Sequence, residues 1–302
     1  MLKIAKILLA LVVIGTGVSA VLAWPEPSGP LLVGLLVILY AVRTVGPRLL
    51  QSLRVVPADP GPSVPEPKVP IAPAASAGRP IAIIESFLED LVARGFSPRG
   101  ILDVGANRGD WTRMSLARFP SARALLVEPQ TEMEPMLKAL SEENPNCAYL
   151  IAGVGREPGE LVQTIWQDTY GSSFCVPPDP ESLESGRQRI TPIETLDRIL
   201  TDKYPDFVPD LVKLDIQGFE LEALRGGSSL FGRTEIFIVE TLLLSNNPLW
   251  PSLREVIEFM GERGYEIYDI TSFLRKPSDG TLGQIDFAFV RSDGAFRQNF
   301  GW

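Results

Sequence analysis

Two stretches of the sequence hold residues whose types and spacing suit chemistry. The first is "ILDVGANRGDW", residues 101–111, in which an apolar run carrying Asp103 ends at Gly105 and is followed by Gly109. Glycine lets the backbone approach a ligand closely and take conformations that a side chain forbids. A helix starting beyond it would add partial positive charge from its N-terminus. A dinucleotide fingerprint reads G-x-G-x-x-G; here the spacing is G-x-x-x-G, with an acid two residues before the first glycine. That acid would repel a pyrophosphate, but it suits a cofactor with a cationic amino group. Glu128, 19 positions after Gly109, ends the next apolar run. An acid there commonly accepts hydrogen bonds from a ribose diol.

The second stretch is "DLVKLDIQGFELEALRGG", residues 210–227. Lys213 and Asp215 alternate with apolar residues and so project from one face of an otherwise apolar strand. Burying both is costly unless they pair with each other or bind something. A structural ion pair is the plain reading; a catalytic pair is the sharper one. Gly218 permits a sharp turn, Glu220 follows on a helix, and Glu240 ends the next apolar run. The chain has no histidine, which removes the commonest general base and most zinc sites. Asp215 is then the first candidate base and Glu240 the second, with Lys213 placed to orient Asp215 or lower its pKa. The two carboxylates would also suit Mg²⁺, but no convincing third ligand is evident, and no metal is expected. Cys147 and Cys175 lack metal-type spacing and read as reduced structural thiols.

These residues need a scaffold that brings strand ends together. From residue 81 the pattern alternates between helix and strand. "IAIIESFLEDLVARG" puts Ile84, Phe87, Leu88 and Leu91 on one helical face. "ILDVG", "ALLVEP", "AYLIAGVG", "LVKLDIQG", "EIFIVETLL", "YEIYDI" and "IDFAFV" read as strands. Asp110 is expected to cap one helix, and Thr131 with Glu134 to form a capping box on the next. Ser252 with Glu255 should form a capping box on a later helix. Alternation of this kind implies an α/β fold, a doubly wound and mostly parallel sheet whose ligands bind beyond the carboxyl ends of the strands.

Together, "ILDVGANRGDW", "LLVEP", "TLDRIL", "LVKLDIQGFELEALRGG", "IFIVET" and "DGTLGQIDFAFV" resemble the FkbM-type S-adenosylmethionine-dependent methyltransferases over roughly residues 82–292. The resemblance implies a class I methyltransferase (Rossmann-like) fold with seven strands, the last antiparallel, and S-adenosyl-L-methionine as cofactor. It also implies that the turn of Gly105, Ala106, Asn107 and Gly109 wraps the methionine part. Asp103 would lie near the amino group, Glu128 would hold the ribose, and Ala152 and Gly153 would run along the adenine. Many class I enzymes have an acid at that last place and this sequence has none. Lys213, Asp215, Gln217 and Glu220 match the segment that borders the substrate side. The implied acceptor is a hydroxyl of a sugar, glycan or secondary metabolite. The insert at residues 164–190 is expected to cover the pocket, with Trp166, Tyr170, Ser172 and Ser173 available to stack on and hydrogen-bond a sugar. A nicotinamide-dependent oxidoreductase and an inactive membrane-tethered binding module are the alternatives.

Outside the resemblance, residues 1–54 read as a membrane anchor with two spanning segments, about 7–24 and 31–48. The flanking Lys3, Lys6, Arg43, Arg48 and Arg54 place both ends in the cytoplasm by the positive-inside rule. A cleaved signal peptide followed by a stop-transfer helix is the competing reading. Residues 55–80 are rich in Pro and Ala and read as an extended linker, leaving 81–302 as the methyltransferase domain. The expected location is the cytoplasmic face of a membrane, of the bacterial inner-membrane type. An acceptor presented there would be a lipid-linked or envelope precursor. Beyond residue 56 the chain carries a net charge of −13, which argues against a nucleic-acid partner.

Overall fold

The computed structural model describes residues 79–243, 247 and 249–298. The expected membrane segments and nearly all of the linker lie outside them. No helix among the described residues is long and apolar enough to cross a membrane.

The elements follow the expected alternation. Helix α1 (Ile84–Ala93) leads to β1 (Gly100–Val104), α2 (Asp110–Arg118), β2 (Arg123–Glu128), α3 (Glu134–Glu143) and β3 (Cys147–Ile151). Next come β4 (Gly153–Val154), β5 (Gly159–Thr164), α4 (Pro180–Glu184) and β6 (Gln188–Glu194). The chain then runs through α5 (Leu196–Arg198), β7 (Leu211–Leu214), α6 (Glu220–Arg225), β8 (Ile236–Leu242), α7 (Leu253–Glu262), β9 (Tyr265–Arg275) and β10 (Leu282–Arg291). The main sheet has seven strands in the order β3-β2-β1-β7-β8-β10-β9. Strands β3, β2, β1, β7 and β8 are parallel, and β10 is antiparallel to both β8 and β9. This is the seven-stranded α/β sheet expected, with its last strand reversed.

Strand alternation sorts the core into two layers. Leu102, Val104, Val212, Leu214, Phe237 and Val239 pack with α5, α6 and α7 residues such as Leu196, Leu224 and Met260. Ile101, Leu211, Ile236 and Ile238 pack on the other face with Phe87, Leu88 and Leu91 of α1, Leu116 of α2 and Leu137 of α3. Successive side chains point to opposite faces of a strand. Asp103, Lys213 and Glu240 therefore share the α1–α3 face, continuing Ile101, Leu211 and Ile238 toward the carboxyl ends.

Three local expectations are corrected. Asp110 is the first residue of α2 rather than its cap; Gly109, at φ +78°, holds the cap position with no side-chain cap bond. Thr131 and Glu134 form no capping box, because residues 131–133 make a separate 3₁₀ turn and α3 begins only at Glu134. "AYLIAGVG" is not one strand. The chain leaves the main sheet at Ala152, and Gly153–Val154 joins a second, three-stranded sheet with β6 and β5. A two-residue strand on a side sheet carries no periodicity of its own, so the apolar run hides the break.

The Ser252–Glu255 capping box is present, with both reciprocal bonds formed. Ser252→Ala should therefore destabilise the domain by about 1 kcal/mol, seen as a lower urea midpoint at unchanged slope.

Candidate functional site

The strand order reverses between β1 and β7, since the chain winds outward from β1 through β2 and β3 before returning beside β1 as β7. Two loops meet there. Gly105 follows β1 at φ +83°, and a Cβ on it would lie 2.0 Å from the Asp215 carbonyl oxygen. Only glycine lets the first loop press against the second at this point. Beyond them opens a cavity of about 370 Å³, the size of a small-molecule site. Gly105, Asn107, Glu128, Ala152 and Gly153 line one part of it; Asp215, Gln217, Glu240 and Gln284 line another; Tyr170 and Ser172 come from the insert.

Glu128 organises the first part. It is 2% exposed, and its carboxylate accepts hydrogen bonds from the Asn107 backbone N–H at 2.8 Å and from the Gln130 backbone N–H at 2.9 Å. Burial raises its pKa, while those hydrogen bonds and that of the Gln130 amide at 3.1 Å oppose the rise. Asn107 is held at φ +47°, and its side-chain Oδ1 is buried without a partner. A buried acceptor left unpaired is costly, and this one stands in the cavity wall. The amides of Asn107 and Gln130 both donate to the Thr169 carbonyl, at 3.2 Å and 3.0 Å. Ser172 donates to Gln130 Oε1 at 3.0 Å, and Ser173 to the Gln217 carbonyl at 2.7 Å. The insert thus covers the cavity, as its sequence implies, and is tied to both loops.

A polar cluster occupies the second part and extends behind it. The Lys213 ammonium, 8% exposed, lies 2.7 Å from Asp215 Oδ2. Register places Asp103 directly opposite Lys213, and Asp286 opposite Glu240. Trp111 of α2 closes over the ammonium, its ring centroid 6.0 Å away. Burial works against the Lys213 charge, but Asp215, Asp103 and Asp286 outweigh it and raise the pKa. Burial likewise works against an ionised Asp215; the Lys213 ammonium, with hydrogen bonds from Lys213, Glu240 and Gln217, outweighs it and holds the carboxyl below its ordinary value. Glu240 goes the other way. Burial, then Asp215, Glu220 and Asp286, raise it well above the carboxylate range. Gln217 donates to Asp215 at 2.9 Å and to Glu240 at 3.0 Å, and Gln284 also donates to Glu240. The surroundings thus push the two carboxyl groups apart, Asp215 downward and Glu240 upward.

Besides Lys213, four of the expected site residues do not line the cavity. Asp103 does not line the cavity. It is 1% exposed, accepts a hydrogen bond from Thr112 at 2.6 Å, and faces Lys213, because the alternation of β1 turns it under α2 rather than toward the turn. Its Oδ1 has no partner. Glu220 is not on the substrate side either. It is turned inward and accepts from the backbone N–H groups of Ile216 and Gly218 at 3.0 Å and 3.2 Å, closing the loop that Asp215 begins. Ala106 and Gly109 shape the turn without lining the cavity. Asp286, Gln284 and Gln130 went unnamed in the sequence reading. Gln284 and Asp286 alternate with apolar residues of β10 just as Lys213 and Asp215 do in β7, so the same signal was available. Both cysteines are free and buried, and no group of three or more acidic or cysteine side chains among the described residues is arranged to hold a metal ion.

A profile of the methyltransferase FkbM domain matches residues 103–267. The chain belongs to the FkbM methyltransferase family. The curated relative it matches, methyltransferase sdnD of Sordaria araneosa, is 28% identical over 153 residues, 42% of this chain and 59% of that protein. The chain thus spans less than two thirds of that relative's length. Similar solved structures include an FkbM methyltransferase from Methylobacillus flagellatus, 16% identical, with 64% of this chain and 44% of that one covered at a TM-score of 0.42. Another is 1,6-didemethyltoxoflavin-N1-methyltransferase of Burkholderia thailandensis, 13% identical, with 70% and 77% covered at a TM-score of 0.39.

The residues present fit the S-adenosylmethionine that the resemblance implies. The cavity is large enough, Asn107 offers an unpaired buried acceptor, and Glu128 faces the space with lone pairs beyond those the loops use. Gly105, Asn107, Glu128, Ala152 and Gly153 are the residues that would hold the donor.

Glu220 gives the site a pH signature. Burial raises its pKa to about 7, above its value in the unfolded chain. A group raised in this way favours the folded state fully at low pH and loses that contribution as pH rises through the folded pKa. Stability should therefore fall between about pH 4.5 and 7, by roughly 1–3 kcal/mol from this group. Glu220→Gln, which can still accept from Ile216 and Gly218, should flatten that part of the curve in urea titrations run across the range.

Proposed function

We propose that this FkbM-family protein transfers the methyl group of S-adenosylmethionine to a hydroxyl of a sugar or glycan, with Asp215 as the base. The single observation that carries the reading is the carboxyl pair at the cavity wall, Asp215 and Glu240, bridged by the Gln217 amide and with the Lys213 ammonium 2.7 Å from Asp215. It shares one cavity with the glycine turn and Glu128.

S-Adenosylmethionine supplies an activated methyl group with a good leaving group, and a hydroxyl receiving that methyl becomes acidic enough for a weak carboxylate to take its proton. The protein's own residues supply positioning and desolvation. Lys213 keeps Asp215 ionised at neutral pH, and Gln217 fixes its direction by donating to Oδ1. Burial and the neighbouring Asp215 raise the Glu240 pKa, which lessens the negative charge beside the base. Tyr170 and Ser172 from the insert wall the cavity beside this pair.

Removal of a positioned base typically costs about 10²–10⁴ in rate. Asp215→Asn should lower kcat by that order while S-adenosylhomocysteine affinity, measured by calorimetry, stays within a few-fold. Retained turnover would dismiss Asp215 as the base. Cofactor binding without turnover in the unaltered protein, on any glycan pool, would favour an inactive binding module.

The two apolar segments at about 7–24 and 31–48 support a further part of the reading, that the chain is anchored in a membrane with the domain on its cytoplasmic face. An acceptor met at that surface would be a lipid-linked envelope precursor. The full chain should then stay in the membrane pellet after carbonate extraction, and a reporter fused after residue 56 should report the cytoplasm.

A further inference from the structure

The acceptor end of the cavity has an unusual balance of hydrogen-bonding groups. Four carboxyl side chains line the cavity, those of Glu128, Asp168, Asp215 and Glu240, and among the described residues no lysine or arginine does. Lys213 is charged but lies behind the wall and is spent on Asp215. At the rim, the Arg108 guanidinium lies over the Tyr170 ring at 5.5 Å. Arg275 lies over Phe273 and donates to the Gly280 carbonyl at 3.0 Å. Neither reaches the lining.

The amides do not make up the deficit. A glutamine side chain has two N–H donors. Gln217 directs its own to Asp215 and Glu240. Gln284 directs its own toward Glu240. What this end offers is mainly oxygen: the carboxyl groups of Asp215 and Glu240 and the carbonyl oxygens of Gln217 and Gln284. An anion needs donors or a cation, and it would meet the carboxyl groups of Asp215 and Glu240 and a glutamine, Gln217, whose amide is directed at both of them. A hydroxyl or an ammonium brings the donors these oxygens lack.

We infer, on the strength of the methyltransferase reading above, that the acceptor presents hydroxyl or ammonium donors to the Asp215–Gln217–Gln284 wall and carries no carboxylate or phosphate beside the reacting hydroxyl. The substrate class is a neutral or amino sugar unit. Uronic acids and sugar phosphates are excluded from this subsite, although a phosphate farther along a glycan or lipid carrier would lie outside it.

The test uses the full chain saturated with S-adenosylhomocysteine. Methyl hexopyranosides of gluco, galacto and manno configuration are titrated calorimetrically in three matched forms: neutral, 2-amino and 6-carboxylate. The best neutral or amino member should bind at least about tenfold tighter than the best carboxylate, as expected for one unscreened charge facing Asp215 in a partly desolvated site. Leu274→Lys, at an exposed position of the same lining, should narrow that gap by about tenfold, and Gln284→Lys should do the same from within. Carboxylates binding as well as the neutral forms would overturn the inference. So would silence from all neutral and amino members while S-adenosylhomocysteine still binds. Loss of S-adenosylhomocysteine binding itself would overturn the methyltransferase reading and the inference with it.

Discussion

One ammonium group, that of Lys213, is placed where hydrophobic side chains would normally close the core. It lies on the α1–α3 face of the central strand, covered by Trp111 and surrounded by Asp215, Asp103 and Asp286. A charge taken from water into such a place needs close partners. Three carboxyl groups around it supply them, and their own burial is tolerable only because it is there. The register of β1, β7, β8 and β10 is therefore not set by apolar packing alone. A slip of one residue would turn the ammonium toward Leu196 and Leu224 and leave the acids unpaired.

That arrangement decides how each acid behaves. Asp215 is nearest to the ammonium and stays ionised; Glu240 and Asp286, farther from it and beside Asp215, are pushed toward their protonated forms. Three carboxyl groups of similar chemistry are thus shifted in different directions by position alone. The proposed base and its neighbouring acid are thus differentiated without a histidine. The same economy explains Gln217, held at φ +55° in the loop after β7: its amide bridges Asp215 and Glu240, so the loop and the acids hold each other in place. Gly218, at φ +96°, lets that loop pass under Trp250, where a Cβ would come within 2.8 Å of the ring.

The cofactor side is built on a related principle, a buried acid that satisfies backbone donors. Glu128 accepts from Asn107 and Gln130, as Glu220 accepts from Ile216 and Gly218. Each carboxylate ties down a loop at a strand end, one in the cavity wall and the other beneath it. The insert is then pinned across the top by the Thr169 carbonyl and the Ser172 and Ser173 hydroxyls. An FkbM-family methyltransferase needs such a roof to keep water from the reacting groups, and here the roof is hydrogen-bonded to both loops that it covers.

The parallel sheet, its strands and the two loops that carry the chemistry were legible in the sequence, because each rests on local signals. Those signals are apolar runs of strand length, glycines at turns, and the conspicuous Lys213 and Asp215 in an apolar strand. The Ser252–Glu255 cap was legible for the same reason, all its atoms lying within one turn of chain. What lay hidden depends on neighbours far away in sequence. Asp103 and Glu128 are both acids at parallel strand ends, yet only Glu128 reaches the cavity; α2, packed over β1, takes Asp103 for Thr112 and Lys213 instead. Glu220 turns inward because two backbone N–H groups of the preceding loop meet there. The short strand at Gly153–Val154 exists only because β6 returns to pair with it. Residue types and their spacing settled which groups would stand at the carboxyl edge of the sheet; the packing of helices and loops over that edge decided which of them face a ligand, and the distance to one buried ammonium decided which way the pKa values of Asp215 and its neighbours move.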